Sequence, residues 1–329
     1  MLALRLSGGE DGAMARMAPR TVRLTTRIPA GSSGASLLSY LCERFRYHSP
    51  SQWQAELRAG RLHLDGHVAD GAELLRAGMQ LRYDKLHREP EVASDFQVLH
   101  EDARLLVVDK PAHLPMHADG PFLRNTLIQM LRDAHGASLQ LCHRLDRETS
   151  GVVIVAKDKL AQAHVQRQFG AGIRKQYVAV VRGQLHAPLV CEEPIGRDPT
   201  SDVRLRRCAR ADAVSAQAAR TSITPLRRGP NTTLVRCEPE TGRTHQLRVH
   251  LEHRGHPVLG DKLYGHPDAH YLDFVRRMKA GASVFETQPG QPDRQLLHAG
   301  SLTLRHPEDD REVRFESPTP PEFERWLLC

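Results

Sequence analysis

His143-Arg144-Leu145-Asp146-Arg147-Glu148-Thr149-Ser150-Gly151 runs straight into Val152-Val153-Ile154-Val155-Ala156-Lys157. An apolar stretch from Leu139 to Leu141 leads into this charged segment. The β-branched run after Gly151 reads as a buried strand, because strands of that composition are covered on both faces. Asp146 is therefore delivered on a loop between strands, flanked by Arg144 and Arg147. A carboxylate beside cations stays ionised and can act as a nucleophile or a base. The bland alternative is a polar loop whose Asp and Thr side chains hydrogen-bond nearby backbone.

Composition narrows the options. The chain has 329 residues, 40% of them hydrophobic, enough to bury a substantial core in one large domain plus a small one. Its formal net charge is +7, and arginine far outnumbers lysine. Guanidinium groups fork onto phosphate oxygens, so this balance suits a nucleic-acid partner, although charge alone is weak evidence. Cys42, Cys142, Cys191, Cys208, Cys237 and Cys329 are scattered without a Cys-x-x-Cys pair. That spacing argues against a structural zinc site or a disulfide framework and fits a reducing, cytoplasmic compartment. No apolar run is long enough to cross a membrane.

Taken in order, residues 1–34 are expected to be a poorly ordered tail ending in Gly31-Ser32-Ser33-Gly34. Residues 35–85 form a small module. Its first helix carries Leu37, Leu38, Leu41 and Phe45 on one face, and its second opens with Ser49 as N-cap, Pro50 at the first position and Gln52 completing a capping box. Arg61-Leu62-His63-Leu64 then reads as a strand, Asp65-Gly66 as a tight hairpin turn and His67-Val68 as the returning strand. Residues 86–95 are expected to be a linker, and 96–329 the larger domain. In it, Leu105 to Lys110 reads as a strand and Arg174 to Gly183 as another. Thr244 is expected to cap a helix ending near Arg254, with Leu247 and Leu251 facing inward. The Arg- and Ala-rich segment 199–220 is expected to be mobile or poor in strands.

His-Arg-Leu-Asp-x-x-Thr-Ser-Gly resembles the active-site signature of the RluA-type pseudouridine synthases. Three further blocks resemble the same family in the same order: Leu105 to Ala112, Arg174 to Gly183, and Thr241 to Leu251 continuing to Gly265. The likeness extends from about Phe96 to Pro307. The chain departs from it at Asp109 and His113, where the family commonly has Asn and Gly. Residues 35–85 resemble the RNA-binding module named after ribosomal protein S-four, although the second helix opens Ser-Pro-Ser-Gln where such modules usually carry basic residues.

The resemblance implies an α+β fold with a mixed, mainly antiparallel sheet and an enzyme that isomerises uridine to pseudouridine in structured RNA. Large-subunit ribosomal RNA is favoured, with transfer RNA second, by a cytoplasmic monomer. It implies that Asp146 is the catalytic carboxylate, that Tyr177 stacks on the extruded uracil, and that Arg248 pairs with the carboxylate. Arg144 would fill the space the base leaves, and Leu247 would line the pocket floor. His143, Arg243, Thr244 and Lys110 are further expected to contact substrate. Neither a metal nor an organic cofactor is implied.

Two other classes compete with this reading. The chain has 19 histidines, and His245, His250, His253 and His256 lie close in sequence. However, no His-Glu-x-x-His is present to support a metal-dependent hydrolase. A non-catalytic RNA-binding protein would imply a decayed site, yet Asp146, Tyr177 and Arg248 are all in place.

Overall fold

The structure, a computed structural model, describes residues 20–87, 89–170, 172–279, 282–283, 285 and 290–328. The chain divides into two compact units, one ending at Glu89 and the other continuing from Pro90.

The smaller unit runs β1 (Arg20–Arg27), α1 (Leu37–Arg44), α2 (Pro50–Arg58), β2 (Leu62–Leu64), β3 (His67–Val68) and β4 (Gln80–His87), with sheet order β1-β4-β2-β3. The capping box on α2 forms as the sequence predicts: the Ser49 hydroxyl accepts from Gln52 N, and the Gln52 amide oxygen accepts from Ser49 N. Asp65 and Gly66 both have positive φ, 47° and 90°, which matches the right-handed twist of a two-residue hairpin. Trp53 is fully buried at the centre of the core, packed with Leu37, Leu41, Leu57 and Tyr83.

Two boundaries differ from expectation. The tail was expected to reach residue 34, but Arg20 to Arg27 pairs with β4 in full antiparallel register. Residues 1–19 lie outside the described residues. This strand is disguised by its polar residues and is identified by its pairing, which a local reading does not see. The expected linker is also shorter, because Leu86 and His87 complete β4, Val92 is buried in the large unit, and Asn125 Nδ2 donates to Pro90 O at 2.9 Å.

The larger unit begins β5 (Gln97–Glu101), β6 (Leu105–Lys110), α3 (Leu127–His135), β7 (Gln140–Leu141), β8 (Ser150–Ala156), α4 (Lys159–Gln168) and β9 (Arg174–Arg182). Next come β10 (Leu189–Cys191), β11 (Ile195–Arg197), β12 (Arg207–Cys208), β13 (Val214–Gln217), β14 (Thr221–Arg228) and β15 (Thr232–Pro239). It closes with α5 (Gln246–His253), α6 (Asp268–Lys279), β16 (Leu297–Arg305), β17 (Glu312–Glu316) and α7 (Glu322–Leu327). The main sheet has the order β10-β14-β15-β9-β16-β8-β6-β5, with β17 beside β16 and β7 beside β8. Its pairings are antiparallel except β8 with β16, where Ser150 faces His298 and Gly151 faces Ala299. This is the mixed, mainly antiparallel α+β fold expected.

The apolar run of β8 is buried because helices cover both sides of it. Val153 and Val155 pack with Leu106, Val108 and α3. Val152 and Ile154 pack with Leu105, Val107 and α4 on the other face. Gly151 sits at the parallel seam with φ 112°, where an added Cβ would lie 2.3 Å from Ala299 O. Only glycine fits that approach.

The segment 199–220 is not strand-poor. β12, β11 and β13 form a small antiparallel sheet, and Val203, Ala209 and Ala219 pack against Val249 and Tyr264. Its strands are too short and polar to show periodicity, and they are held by a core that other segments complete.

Candidate active site

Asp146 is placed on the turn between β7 and β8, where Thr149 N donates to its carbonyl at 3.1 Å. The following residues are anchored from below. Glu148 Oε2 accepts from Lys262 Nζ at 2.8 Å and from Gln295 N at 3.2 Å. Thr149 Oγ1 accepts from Gln295 Nε2 at 2.6 Å. Ser150 Oγ accepts from Arg294 Nη1 at 2.9 Å and lies 2.8 Å from His298 Nδ1. Burial alone would raise the Glu148 pKa. The charges of Lys262 and Arg147 outweigh it and hold the carboxyl well below the usual range.

The Asp146 carboxylate meets Arg248 from α5, whose Nη1 donates to Oδ2 at 2.7 Å. Arg248 turns its remaining edge to Asp261: Nε donates to Oδ2 at 2.6 Å and Nη2 to Oδ1 at 2.8 Å. Asp261 Oδ1 also accepts from Leu263 N and Tyr264 N, so the acid is locked by its own turn. The guanidinium carbon lies 4.8 Å from the centre of the Tyr264 ring. A fork shared between two carboxylates fixes the guanidinium in one plane, and that plane fixes Asp146.

His245 completes the shell. It is the N-cap of α5, in left-handed conformation with φ 59° and ψ 19°. Its Nε2 lies 3.9 Å from Asp146 Oδ1, and Nδ1 lies 2.9 Å from the Tyr264 hydroxyl. That hydroxyl accepts from Arg207 N at 3.1 Å. We assign its proton to His245 Nδ1, which leaves the imidazole proton on Nε2, facing Asp146. Burial would raise the Asp146 pKa, but His245, Arg248 and Arg144 pull it down to about 2. Burial holds His245 itself at about 4, so at neutral pH the imidazole is uncharged and the guanidinium of Arg248 carries the effect.

Tyr177 from β9 packs against the same apolar cluster as Leu247 and Leu251, and also against the cluster around Leu145. Burial and the neighbouring Asp146 charge push its phenol pKa up, so it remains protonated. Arg144 is exposed, and no hydrogen bond or ion pair joins it to another described residue. Asp146, Arg248, Tyr177 and Leu247 thus come together, with Arg144 free beside them.

The remaining expectations fare differently. Lys110 is fully buried and does not face substrate: Nζ donates to Pro111 O, Leu114 O and Arg147 O at 2.7, 2.9 and 3.1 Å. Three carbonyls use its three protons, so it staples the catalytic loop from beneath. His143 is committed to backbone, its Nε2 accepting from Ile154 N at 3.0 Å. Thr244 is exposed and does not cap α5, whose entry is organised by Gln246 Oε1 accepting from Thr241 Oγ1 and Arg243 N. Arg243 is exposed and donates to Ala218 O at 2.9 Å. Leu247 and Leu251 face inward as expected.

Asp261, His245 and Tyr264 were not singled out from the sequence as site residues. Asp261 and Tyr264 lie inside a family-like block, and a lone Asp before a Lys carries no local sign of partnership with an Arg on another element. In sequence His245 is one of a group of histidines, and its left-handed backbone has no signature in residue type.

The RNA pseudouridylate synthase family profile matches residues 104–253. The ribosomal large subunit pseudouridine synthase D of Xanthomonas campestris pv. campestris is 32% identical over 314 residues, spanning 91% of this chain and 90% of the relative. The mitochondrial tRNA pseudouridine(32) synthase of Saccharomyces cerevisiae is 29% identical over 262 residues, spanning 78% of this chain and 56% of the relative. Among solved structures, human RNA pseudouridylate synthase domain containing 1 superposes with a TM-score of 0.57 at 27% identity, covering 73% of this chain and 91% of that one.

Proposed function

The chain belongs to the RluA-type family of RNA pseudouridine synthases, and from that premise we propose that its substrate is large-subunit ribosomal RNA and that Asp146, Tyr177 and Arg248 carry the reaction. The observation that supports the site assignment is the Asp146 carboxylate held ionised by Arg248 at 2.7 Å beside the half-buried Tyr177.

The isomerisation breaks the bond from ribose C1′ to uracil N1 and forms one from C1′ to C5. The proton lost from C5 is matched by one gained at N1. Every atom of the nucleotide is conserved, so the balance calls for no redox partner, nucleotide or metal. Positive character develops at C1′ as the base departs, as it does in glycoside cleavage. An ionised carboxylate answers that charge, either by attacking C1′ or by taking a neighbouring ribose proton. Asp146 Oδ1 suits both routes, because Oδ2 is held by Arg248. The uracil must leave its stack to reach this acid. Arg144, exposed and with no hydrogen-bond or ion-pair partner among the described residues, suits the vacated space, since a planar cation stacks on bases while facing phosphates. Tyr177 supplies a face for the turned base.

Ribosomal RNA is favoured over transfer RNA because the first-named relative acts on the large subunit and nine-tenths of its length is matched. The smaller unit, with its helix pair followed by a hairpin, serves as an RNA-binding module of the ribosomal-protein-S-four type, and the protein works as a cytoplasmic monomer. Among the described residues no helix is long and apolar enough to cross a membrane. Mapping pseudouridine in total RNA from cells with and without the gene tests the substrate directly. Loss of one or more sites in large-subunit RNA is expected, and loss confined to transfer RNA would overturn that choice.

A further inference from the structure

A cavity of about 300 Å³ lies against the turn that carries Asp261. Its wall includes Arg182, Lys262, His266, His270, Arg277 and Gln291, and Phe274 also contributes. The carboxylate on that wall, Asp261, is already bound edge-on by Arg248. Lys262 is paired with Glu148, and Arg277 with Asp273. Arg182 differs from both. Its Nη2 donates to neutral partners, His266 Nε2 at 3.3 Å and Gln291 Oε1 at 3.2 Å, and no carboxylate neutralises it among the described residues. His266 and His270 stack with centroids 4.2 Å apart and planes 15° from parallel. With Nε2 accepting from Arg182, His266 carries its own proton on Nδ1 as a further donor.

A cavity lined by cations and imidazole donors, with its one lining carboxylate spoken for, is built for an anion. It also touches the catalytic loop. Lys262 on its wall holds Glu148, two residues beyond Asp146, and the Phe274 ring lies 5.7 Å from the Arg147 guanidinium. We propose that this cavity is a phosphate subsite that takes a backbone phosphodiester of the RNA strand flanking the extruded uridine. The inference rests on the reading of the chain as an RNA-modifying enzyme. Phosphate contacts set register and orientation without reading sequence, so the subsite would hold the strand while the base turns.

The full-length protein, Arg182→Gln and Arg182→Lys are compared on a large-subunit ribosomal RNA transcript carrying 5-tritiated uridine. Dissociation constants are read across a salt series, and tritium release is read in single turnover at saturating protein. For Arg182→Gln the constant should rise about tenfold at moderate salt, and the slope of log affinity against log salt should fall by about one. Arg182→Lys should restore most of the slope. Inorganic phosphate should weaken RNA binding by the wild type more than chloride does at equal ionic strength, and should lose that advantage with Arg182→Gln. Unchanged affinity and slope in a folded Arg182→Gln protein would overturn the subsite. So would phosphate binding lost with Arg182 while RNA affinity stays put, because the cavity would then serve a free anion. Absence of tritium release by the wild type would sink the ribosomal RNA reading alone, since the salt slopes are read on binding.

Discussion

Asp261 grips Arg248 through both carboxylate oxygens, at 2.6 and 2.8 Å, and leaves Nη1 of the guanidinium for Asp146. Asp146 is therefore oriented by a second acid it does not touch. Asp261→Asn removes one of two charges facing a buried guanidinium, and breaking a buried pair on one side costs about 3–5 kcal/mol. Urea denaturation should show a loss of that order, and kcat should fall while KM for RNA holds. A variant with wild-type kcat would refute the orienting role.

Asp146→Asn keeps the shape of the side chain and removes its charge. Folding and RNA affinity should be retained, and tritium release should fall by at least on the order of 10²–10⁴. Because the Asp146 pKa is held at about 2, the acid is ionised throughout the working range. The rate profile should accordingly show no acid limb from this group above pH 4. Normal turnover by the asparagine variant would end the assignment.

Arg144 is exposed and makes no hydrogen bond or ion pair among the described residues, so Arg144→Ala should shift stability by no more than about 0.5 kcal/mol. Its effect should appear in the substrate. Turnover of a folded RNA stem should drop well below that of a short single-stranded oligonucleotide, where no stack is vacated. Equal losses on both substrates would argue that Arg144 contacts the nucleotide in some other way.

His143, His245 and His298 are each held at about 4 by burial, against about 6.5 for the unfolded chain. Between those values the unfolded state binds protons that the folded state refuses. Stability is therefore fully present above pH 6.5 and is lost as pH falls toward 4, at up to about 1.4 kcal/mol per pH unit for each histidine. Urea midpoints measured at pH 7.5, 6 and 5 should fall in that order. A flat series would show that these rings protonate in place.

Much of this arrangement could be read from residue order. The β-branched run after Gly151 announced a covered strand, and Ser49 to Gln52 announced a helix start, because both are local preferences written into neighbouring side chains. Asp146, Tyr177 and Arg248 came from a pattern spread over four blocks. What escaped was set by partners distant in sequence. Lys110 looks like a substrate cation until its three carbonyl acceptors are seen. Thr244 is a better capping residue than His245, yet the Gln246 side chain takes over the turn and leaves His245 in the left-handed region. The strand at Arg20 to Arg27 and the small sheet around Ile195 owe their form to pairing and to a shared core, which polar short segments do not advertise.

The long-range anchors beneath Glu148, Thr149 and Ser150 come from Lys262, Arg294, Gln295 and His298, the last of them 148 residues further along than Ser150. A ribosome adding roughly 5–20 residues per second exposes Asp146 roughly six to thirty seconds before it supplies these anchors. A nascent chain thus carries its acid without the means to aim it, and competence arrives only with the last strands.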